Sequence, residues 1–371
     1  MTVEVRLQHR FGDFRLDAEF AAGMGVTALF GPSGSGKSTV VNAVSGLLRP
    51  DTGRIVVGDD VLFDSMAGVA LPTWRRRIGY VFQDARLLPH LTVRQNLLFG
   101  RWLRRRDVAA AGTGAIALEH IVDVLNLGHL LSRRPGALSG GEKQRVGIGR
   151  ALLSCPRMLL MDEPLASLDH ARRLEVLDYL NRIRHELKLP VLYVTHSLDE
   201  VMRLADQVVL FKDGRTISQG APADVLNTHR DALDGASDTP GTVLETRIVA
   251  HDAHYGLTEL AVNGSDTIRL RVPRASGEMG DACRILVRER DVAVATAPPV
   301  DTSVLNVLPA RVITLRDLGD SVEVEAALTG DATGTTGTTL RARITRFSAD
   351  QLQLTAGREV YLLIKSVALT R

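Results

Sequence analysis

The sequence predicts an α/β chain, with core parallel strands and helices, followed by short strands of a small β-barrel or sandwich. Three observations carry this. An apolar strand, VTALF (Val26 to Phe30), runs into a glycine-rich loop and then into a helix, STVVNAVSGLL (Ser38 to Leu48). A second apolar strand, Met158 to Met161, ends in two adjacent acids. Late in the chain, TIRLRVP, RVITLRD, VEVEAAL and YLLIKSVAL alternate apolar and polar residues between Gly, Pro and Asp, the period of half-buried strands.

The loop after the first strand is Gly31, Pro32, Ser33, Gly34, Ser35, Gly36, Lys37, Ser38 and Thr39. Its glycines let the backbone turn tightly and aim N–H groups at an anion, Lys37 reaches β- and γ-phosphates, and the Ser38 hydroxyl suits Mg²⁺. Strand, glycine loop and helix is the order such a cradle needs. The acids after the second strand are Asp162 and Glu163, followed by Pro164. A parallel core strand delivers such groups at its carboxyl end. Asp162 is suited to hold Mg²⁺ directly or through water, and Glu163 to polarise an attacking water.

With these residues in view, the chain resembles the ATP-binding subunits of ABC transporters over roughly residues 1–230, and the fold the resemblance implies is that of a P-loop NTPase, a mixed sheet flanked by helices with a helical subdomain, followed by a small β-barrel. Gln83 in YVFQDARLLPHLTV resembles the glutamine loop of that family and Ser139, Gly140 and Gly141 its signature. Ser167-Leu168-Asp169 resembles the dimer-contacting loop, and His196 in YVTHSLDE the switch histidine. Phe11 stands where the family stacks an aromatic ring on adenine, and Phe14 competes for that position.

The resemblance implies a homodimer that closes two ATP molecules between its subunits. The signature opens a helix, so free N–H groups and the helix dipole face an anion, in the family the γ-phosphate bound by the opposite subunit. Phosphoryl transfer is mostly positioning and charge stabilisation. Lys37, Mg²⁺, His196 and the partner's Ser139 then hold the γ-phosphate, while Gln83 and Glu163 set the water; Gln83 also joins Ser38 and Asp162 toward the metal.

The formal charge of +2 over 371 residues is too small to argue for nucleic acid as a partner. Arg75 to Arg77 and Arg104 to Arg106 read as solvated faces, with the alternative that the first, which leads into the Gln83 strand, lies near nucleotide or a partner. Cys155 and Cys283 lie far apart and form no ligand cluster, which suits a reduced compartment. The amino terminus lacks a secretory signal, and no apolar run approaches the roughly eighteen residues that span a bilayer. An ATPase coupled to transport would therefore dock, as a peripheral protein on the cytoplasmic face of the inner membrane, on two separate permease subunits. Leu87, Pro89, His90 and Leu91 lie where the family receives a permease helix, with Arg86 and Asn96 as further contacts. Asp107 to Ala117 reads as a connection inside that subdomain.

Asp234 to Thr242 reads as a linker, and a second break, Ala295 to Ser303, divides the β-rich region. The expected organisation is 1–230, an ATP-binding domain; 231–300, a linker and partial OB-like segment; and 301–371, a last domain. Thr302 to Val312, FSADQLQL and Gly357 to Leu369 resemble molybdate-binding-protein domains of the molbindin type. The whole chain thus resembles the ATP-binding subunit of a molybdate importer, supplied by an extracytoplasmic binding protein. Ser303, Asn306, Lys365 and Ser366 match the family's oxyanion positions and offer donors to a tetrahedral dianion. Leu305 departs from the basic residue common there, and Asp331 to Thr339 lengthens a turn. Molybdate or tungstate bound there is expected to restrain uptake. The alternatives are an importer ATPase for sulfate, polyamine or sugar, a non-transport ABC ATPase, and a molybdate store or regulator.

Overall fold

Alternation builds the first hairpin. In β1 (Val3–Phe11) Val3, Val5 and Leu7 are buried while their neighbours face water, and β2 (Phe14–Ala22) mirrors the pattern with Leu16, Ala18 and Phe20. The computed structural model describes residues 2–103, 116–186, 189–229, 241–262, 265, 267–275, 277–329, 335–365 and 367–369. Ser366, the Arg104 to Arg106 run, and most of the predicted connection at 107–117 and linker at 234–242 lie outside them, as does the start of the 331–339 insertion.

The first of two units runs from Met1 to Val225. After the hairpin come β3 (Gly25–Phe30), α1 (Lys37–Ser45), β4 (Thr52–Val57), β5 (Asp60–Asp64), β6 (Val69–Ala70) and β7 (Ile78–Val81). The helical part holds α2 (Val93–Leu103), α3 (Leu118–Val124) and α4 (Gly140–Leu153). Then follow β8 (Met158–Asp162), α5 (His170–Glu186), β9 (Pro190–Thr195), α6 (Leu198–Leu204), β10 (Gln207–Lys212), β11 (Arg215–Gly220) and α7 (Pro222–Thr228).

These strands form one mixed sheet in the order β6-β5-β4-β1-β2-β11-β10-β3-β9-β8-β7. Its functional stretch is parallel: β3 pairs with β9, β9 with β8 and β8 with β7. These strands are nearly all apolar because helices cover both faces; Leu29, Phe30, Leu160, Leu192 and Val194 are fully buried. Four neighbouring carboxyl ends therefore open on one edge of the sheet.

Two predicted surface groups are core groups instead. Asn96 is 0% exposed. Its amide accepts from Leu88 N at 2.8 Å and donates toward the carbonyls of Leu88, Leu91 and Thr92. It shapes the turn before α2 rather than meeting a permease. Arg76, within the predicted solvated run, is 6% exposed and donates to the carbonyls of Leu71, Ala43 and Val44. A cation there satisfies carbonyls that the last turn of α1 leaves open.

The second unit comprises Leu226–Arg230 and Ser237–Arg371. One sheet runs β14-β13-β12-β15-β21 and the other β16-β20-β17-β18-β19. The strands are β12 (Gly241–Asp252), β13 (Leu257–Val262), β14 (Arg269–Pro273), β15 (Ala282–Arg288), β16 (Val292–Ala295), β17 (Asn306–Asp317), β18 (Ser321–Thr329), β19 (Thr335–Thr345), β20 (Glu359–Ile364) and β21 (Ala368–Leu369), with α8 (Arg346–Gln351) before β20. The halves exchange their last strands. β16 pairs with β20 and β21 pairs with β15. Leu260, Ile285 and Val287 from one half share a single core with Leu308, Val324 and Leu362 from the other, so the break at Ala295 to Ser303 lies within one body.

Candidate functional site

The loop after β3 folds as a cradle. Gly31 has φ 151, and a Cβ there would lie 2.1 Å from the carbonyl oxygen of Phe211, so only glycine fits. Gly36, at φ 99, is the N-cap of α1. Lys37, 4% exposed, turns back so that Nζ donates to Gly31 O at 2.8 Å, Pro32 O at 2.7 Å and Ser35 Oγ at 3.3 Å. Burial pushes its pKa below the ordinary lysine value, opposed by the charges of Glu163 and Asp162. Ser33, Gly34 and Ser38 are exposed, and Thr39 is half-buried.

The end of β8 joins this loop. Ser38 Oγ donates to Asp162 Oδ1 at 2.8 Å, and the Tyr80 hydroxyl reaches Oδ2 at 3.4 Å and Asn42 Oδ1 at 3.0 Å. Burial raises the Asp162 carboxyl above the ordinary aspartate value, the Ser38 bond lowers it, and the neighbouring Glu163 charge raises it. Burial also raises the Tyr80 phenol, which keeps it a donor. Tyr80 and Asn42 carry no motif of their own; Tyr80 lies three residues before Gln83, which is the signal that it sits at this edge.

Glu163 holds a positive φ of 44, and its N–H donates to Val194 O at 3.0 Å. A non-glycine residue held there marks local strain. Its Oε1 lies 3.4 Å from Nδ1 of His196. The structure thus brings Lys37, Ser38, Asp162, Glu163 and His196 to one edge. Gln83 is exposed just past the end of β7. The backbone on both sides of it is tied to α4: Gln144 donates to Phe82 O at 3.2 Å, and Arg150 to Ala85 O and Arg86 O at 2.8 and 2.9 Å.

Ser139 is the N-cap of α4 in a capping box: its Oγ accepts from Glu142 N at 3.3 Å and its N–H donates to Glu142 Oε2 at 2.6 Å. Gly140 is exposed and Gly141 buried. Asp169 Oδ1 accepts from Arg172 N at 3.0 Å, capping the first turn of α5.

Phe11 is 46% exposed, lies opposite Phe14 across the hairpin and meets the His9 ring edge-on at 4.3 Å. A cleft of about 440 Å³ beside the phosphate loop is lined by Phe14, Arg15, Pro32, Gly34, Asp213 and Arg215; the aromatic facing it is Phe14.

The predicted oxyanion residues are placed differently. Ser303 and Lys365 are exposed. Asn306 is 7% exposed; its Oδ1 accepts from Arg271 N at 2.6 Å and its Nδ2 donates to Arg271 O at 2.8 Å. Its amide continues the ladder of β14, a use that no local pattern shows. Among the described residues no helix is long and apolar enough to cross a membrane, and no cluster of three or more His, Cys, Asp and Glu could hold a metal.

Residues 16–166 match the ABC transporter family and residues 302–370 the TOBE domain. The chain is 45% identical over its whole length to the molybdenum import ATP-binding protein ModC of Mesorhizobium japonicum, covering 96% of that protein. It is 44% identical, again over its whole length, to the ModC proteins of Rhizobium meliloti and Brucella melitensis, covering 99% and 98% of them. A strand-loop-helix cradle, an acid pair at a parallel strand end and this similarity over both units agree: the chain belongs to the ModC family of ABC transporter ATP-binding proteins.

Proposed function

We propose that this chain hydrolyses ATP to drive import of molybdate, with tungstate as a second cargo. It acts as a homodimer on the cytoplasmic face of the inner membrane, docked on two permease subunits that receive the anion from an extracytoplasmic binding protein. The observation that carries the reaction is the meeting of Lys37, Ser38, Asp162, Glu163 and His196 at neighbouring parallel strand ends. Near full-length similarity to molybdenum import proteins supports the cargo.

The residues fit a magnesium nucleotide. Lys37 is a desolvated cation resting on neutral carbonyls, and Ser38 and Asp162 present two oxygens 2.8 Å apart. Mg²⁺, when bound, neutralises charge on the phosphate oxygens. Loop N–H groups and Lys37 bind the phosphates, with Gly31 to Thr39 as the cradle. Phe11 stacks on the base beside Phe14, its neighbour across the hairpin, which faces the cleft at the phosphate loop. Glu163 accepts the proton of the attacking water, Gln83 orients that water, and His196 donates to the γ-phosphate. Ser139, Gly140 and Gly141 of the other subunit close the pocket, and Asp169 lies at the dimer contact.

Ser303, Asn306, Lys365 and Ser366 are proposed to receive cytoplasmic molybdate or tungstate, which restrains hydrolysis when the cell is replete. The presence of a TOBE domain supports this reading.

Uptake of labelled molybdate and of labelled sulfate is to be compared in cells with and without this chain. Loss of molybdate uptake alone is the expected result; loss of sulfate uptake alone transfers the chain to a different cargo. A second measurement, ATP hydrolysis by the assembled importer against added molybdate, tests the regulatory part, where an unchanged rate at saturating anion removes it.

A further inference from the structure

Glu200 is a buried carboxylate with no part in the reaction above. It lies on α6 beside the buried Leu198, Val201, Met202 and Leu204, and is 4% exposed. Burying a carboxylate is costly even when it is paired, and apolar replacement of such groups is often neutral or stabilising. Packing alone therefore gives no reason for an acid at this position.

Its contacts supply one. Thr195, the last residue of β9, donates from Oγ1 to Glu200 Oε2 at 2.7 Å, and the Tyr193 hydroxyl donates to the same oxygen at 2.9 Å. With its proton committed to Glu200, the Thr195 oxygen is left to accept, and it accepts from Ser197 N at 2.9 Å. His196 is the residue enclosed between these two anchored neighbours. The second carboxylate oxygen faces Arg173 Nε at 3.9 Å, and Arg173 N donates to Asp169 O at 2.9 Å on the segment that opens α5.

We propose that Glu200 is a positioning residue: as an acceptor it fixes the direction of the Thr195 hydroxyl, which closes the turn that aims His196 at Glu163 and the nucleotide. The inference rests on the role given to His196 above. Sub-ångström placement of a group that acts on a reacting phosphate matters because small misplacements cost large factors in rate.

The test uses the full-length chain, with steady-state ATP hydrolysis and thermal midpoint measured for Glu200→Ala, Glu200→Gln, Thr195→Val and His196→Ala. Glu200→Ala and Thr195→Val are expected to lower kcat about ten-fold with KM for ATP within about two-fold of the parent. Glu200→Gln retains an acceptor oxygen and is expected to restore most of that loss. Wild-type kcat in a folded Thr195→Val chain overturns the proposal, as does a glutamine variant no better than alanine. If Glu200→Ala does not fold, Thr195→Val decides alone. Should His196→Ala itself hydrolyse at the parent rate, the reading of His196 fails and the positioning role falls with it; a slow His196→Ala beside fast Glu200 and Thr195 variants removes the positioning role only.

Discussion

The Ser38 hydroxyl donates to Oδ1 of Asp162 at 2.8 Å and so joins two motifs 124 residues apart. The bond exists because α1 starts at the end of β3 while Asp162 ends β8, one strand beyond β9. Each partner is an oxygen suited to Mg²⁺, and each already holds the other at the spacing of a hydrogen bond.

Removing one of them loosens the metal without dismantling the cradle. Ser38→Ala should raise the Mg²⁺ concentration needed for half-maximal hydrolysis about ten-fold, the weight of one hydrogen bond to a charged group. Nucleotide binding without metal, followed with a fluorescent ATP analogue, should be nearly unchanged. An equal loss with and without Mg²⁺ would assign Ser38 to the fold instead.

Gly31→Ala strikes the loop itself. The added Cβ meets the Phe211 carbonyl oxygen at 2.1 Å, and the φ of 151 disfavours any side chain. Backbone strain of this kind costs about 1–3 kcal/mol. The variant should melt earlier and lose ATP binding by equilibrium dialysis; full binding would show that the loop tolerates a shift away from Phe211.

The glycines, Lys37 and Asp162 are legible in the sequence because residue type at strand ends calls for them and apolar runs mark those ends, whereas His196 is legible only through the family resemblance of YVTHSLDE. What stays hidden is the use of polar groups by tertiary contacts. Asn96 and Arg76 read as surface residues, yet their hydrogen-bonding groups satisfy turn and helix-end carbonyls. Glu200, a first-turn acid of α6, has no sequence signal of its own, and its use appears only in the hydrogen bonds from Thr195 and Tyr193. The alternation in the second unit marks its strands but carries no information on partners, so the exchange of β16 and β21 is invisible locally.

That exchange has a measurable consequence. A fragment of residues 301–371 lacks β16, the strand that pairs with β20 through Val292↔Ile364 and Ala295↔Tyr361. It also leaves β21 without β15 and divides a shared core. Residues 241–371 should unfold in a single cooperative transition by circular dichroism, whereas 301–371 should show none. A cooperative melt of the short fragment as a monomer would mean that the halves are independent.

Asn306 separates two roles that the same position has been given. Its amide makes hydrogen bonds of 2.6 and 2.8 Å to both backbone groups of Arg271, and Asn306→Ala leaves that N–H and carbonyl in a buried setting. The cost expected is about 1–3 kcal/mol, read by urea unfolding of the full chain. Ser303→Ala, at an exposed position, should leave stability within about 0.5 kcal/mol and change only anion binding. Equal stability of the two variants would show that the Arg271 bridge contributes little.

Asp162 links the site to pH. Its carboxyl lies above the ordinary aspartate value, first because of burial, with the Glu163 charge adding to the rise and the bonds from Ser38 and Tyr80 and the Lys37 charge opposing it. A folded-state carboxyl that is raised binds its proton more tightly than in the unfolded chain. Its favourable contribution is full below the ordinary carboxylate range, near pH 4, and is lost as pH rises through the raised folded value. At neutral pH the nucleotide-free protein therefore carries an ionised, desolvated Asp162 as a cost. Asp162→Asn keeps the shape and removes the charge, so its thermal midpoint at pH 7 should exceed that of the parent while hydrolysis is lost. The gap should narrow toward pH 4 as the parent's carboxyl becomes protonated. Glu200 is also raised by burial, but it is common to both chains and cancels in the difference. A variant that melts below the parent at pH 7, or a gap that does not change with pH, would show that Lys37 and the hydroxyl donors outweigh the burial of Asp162.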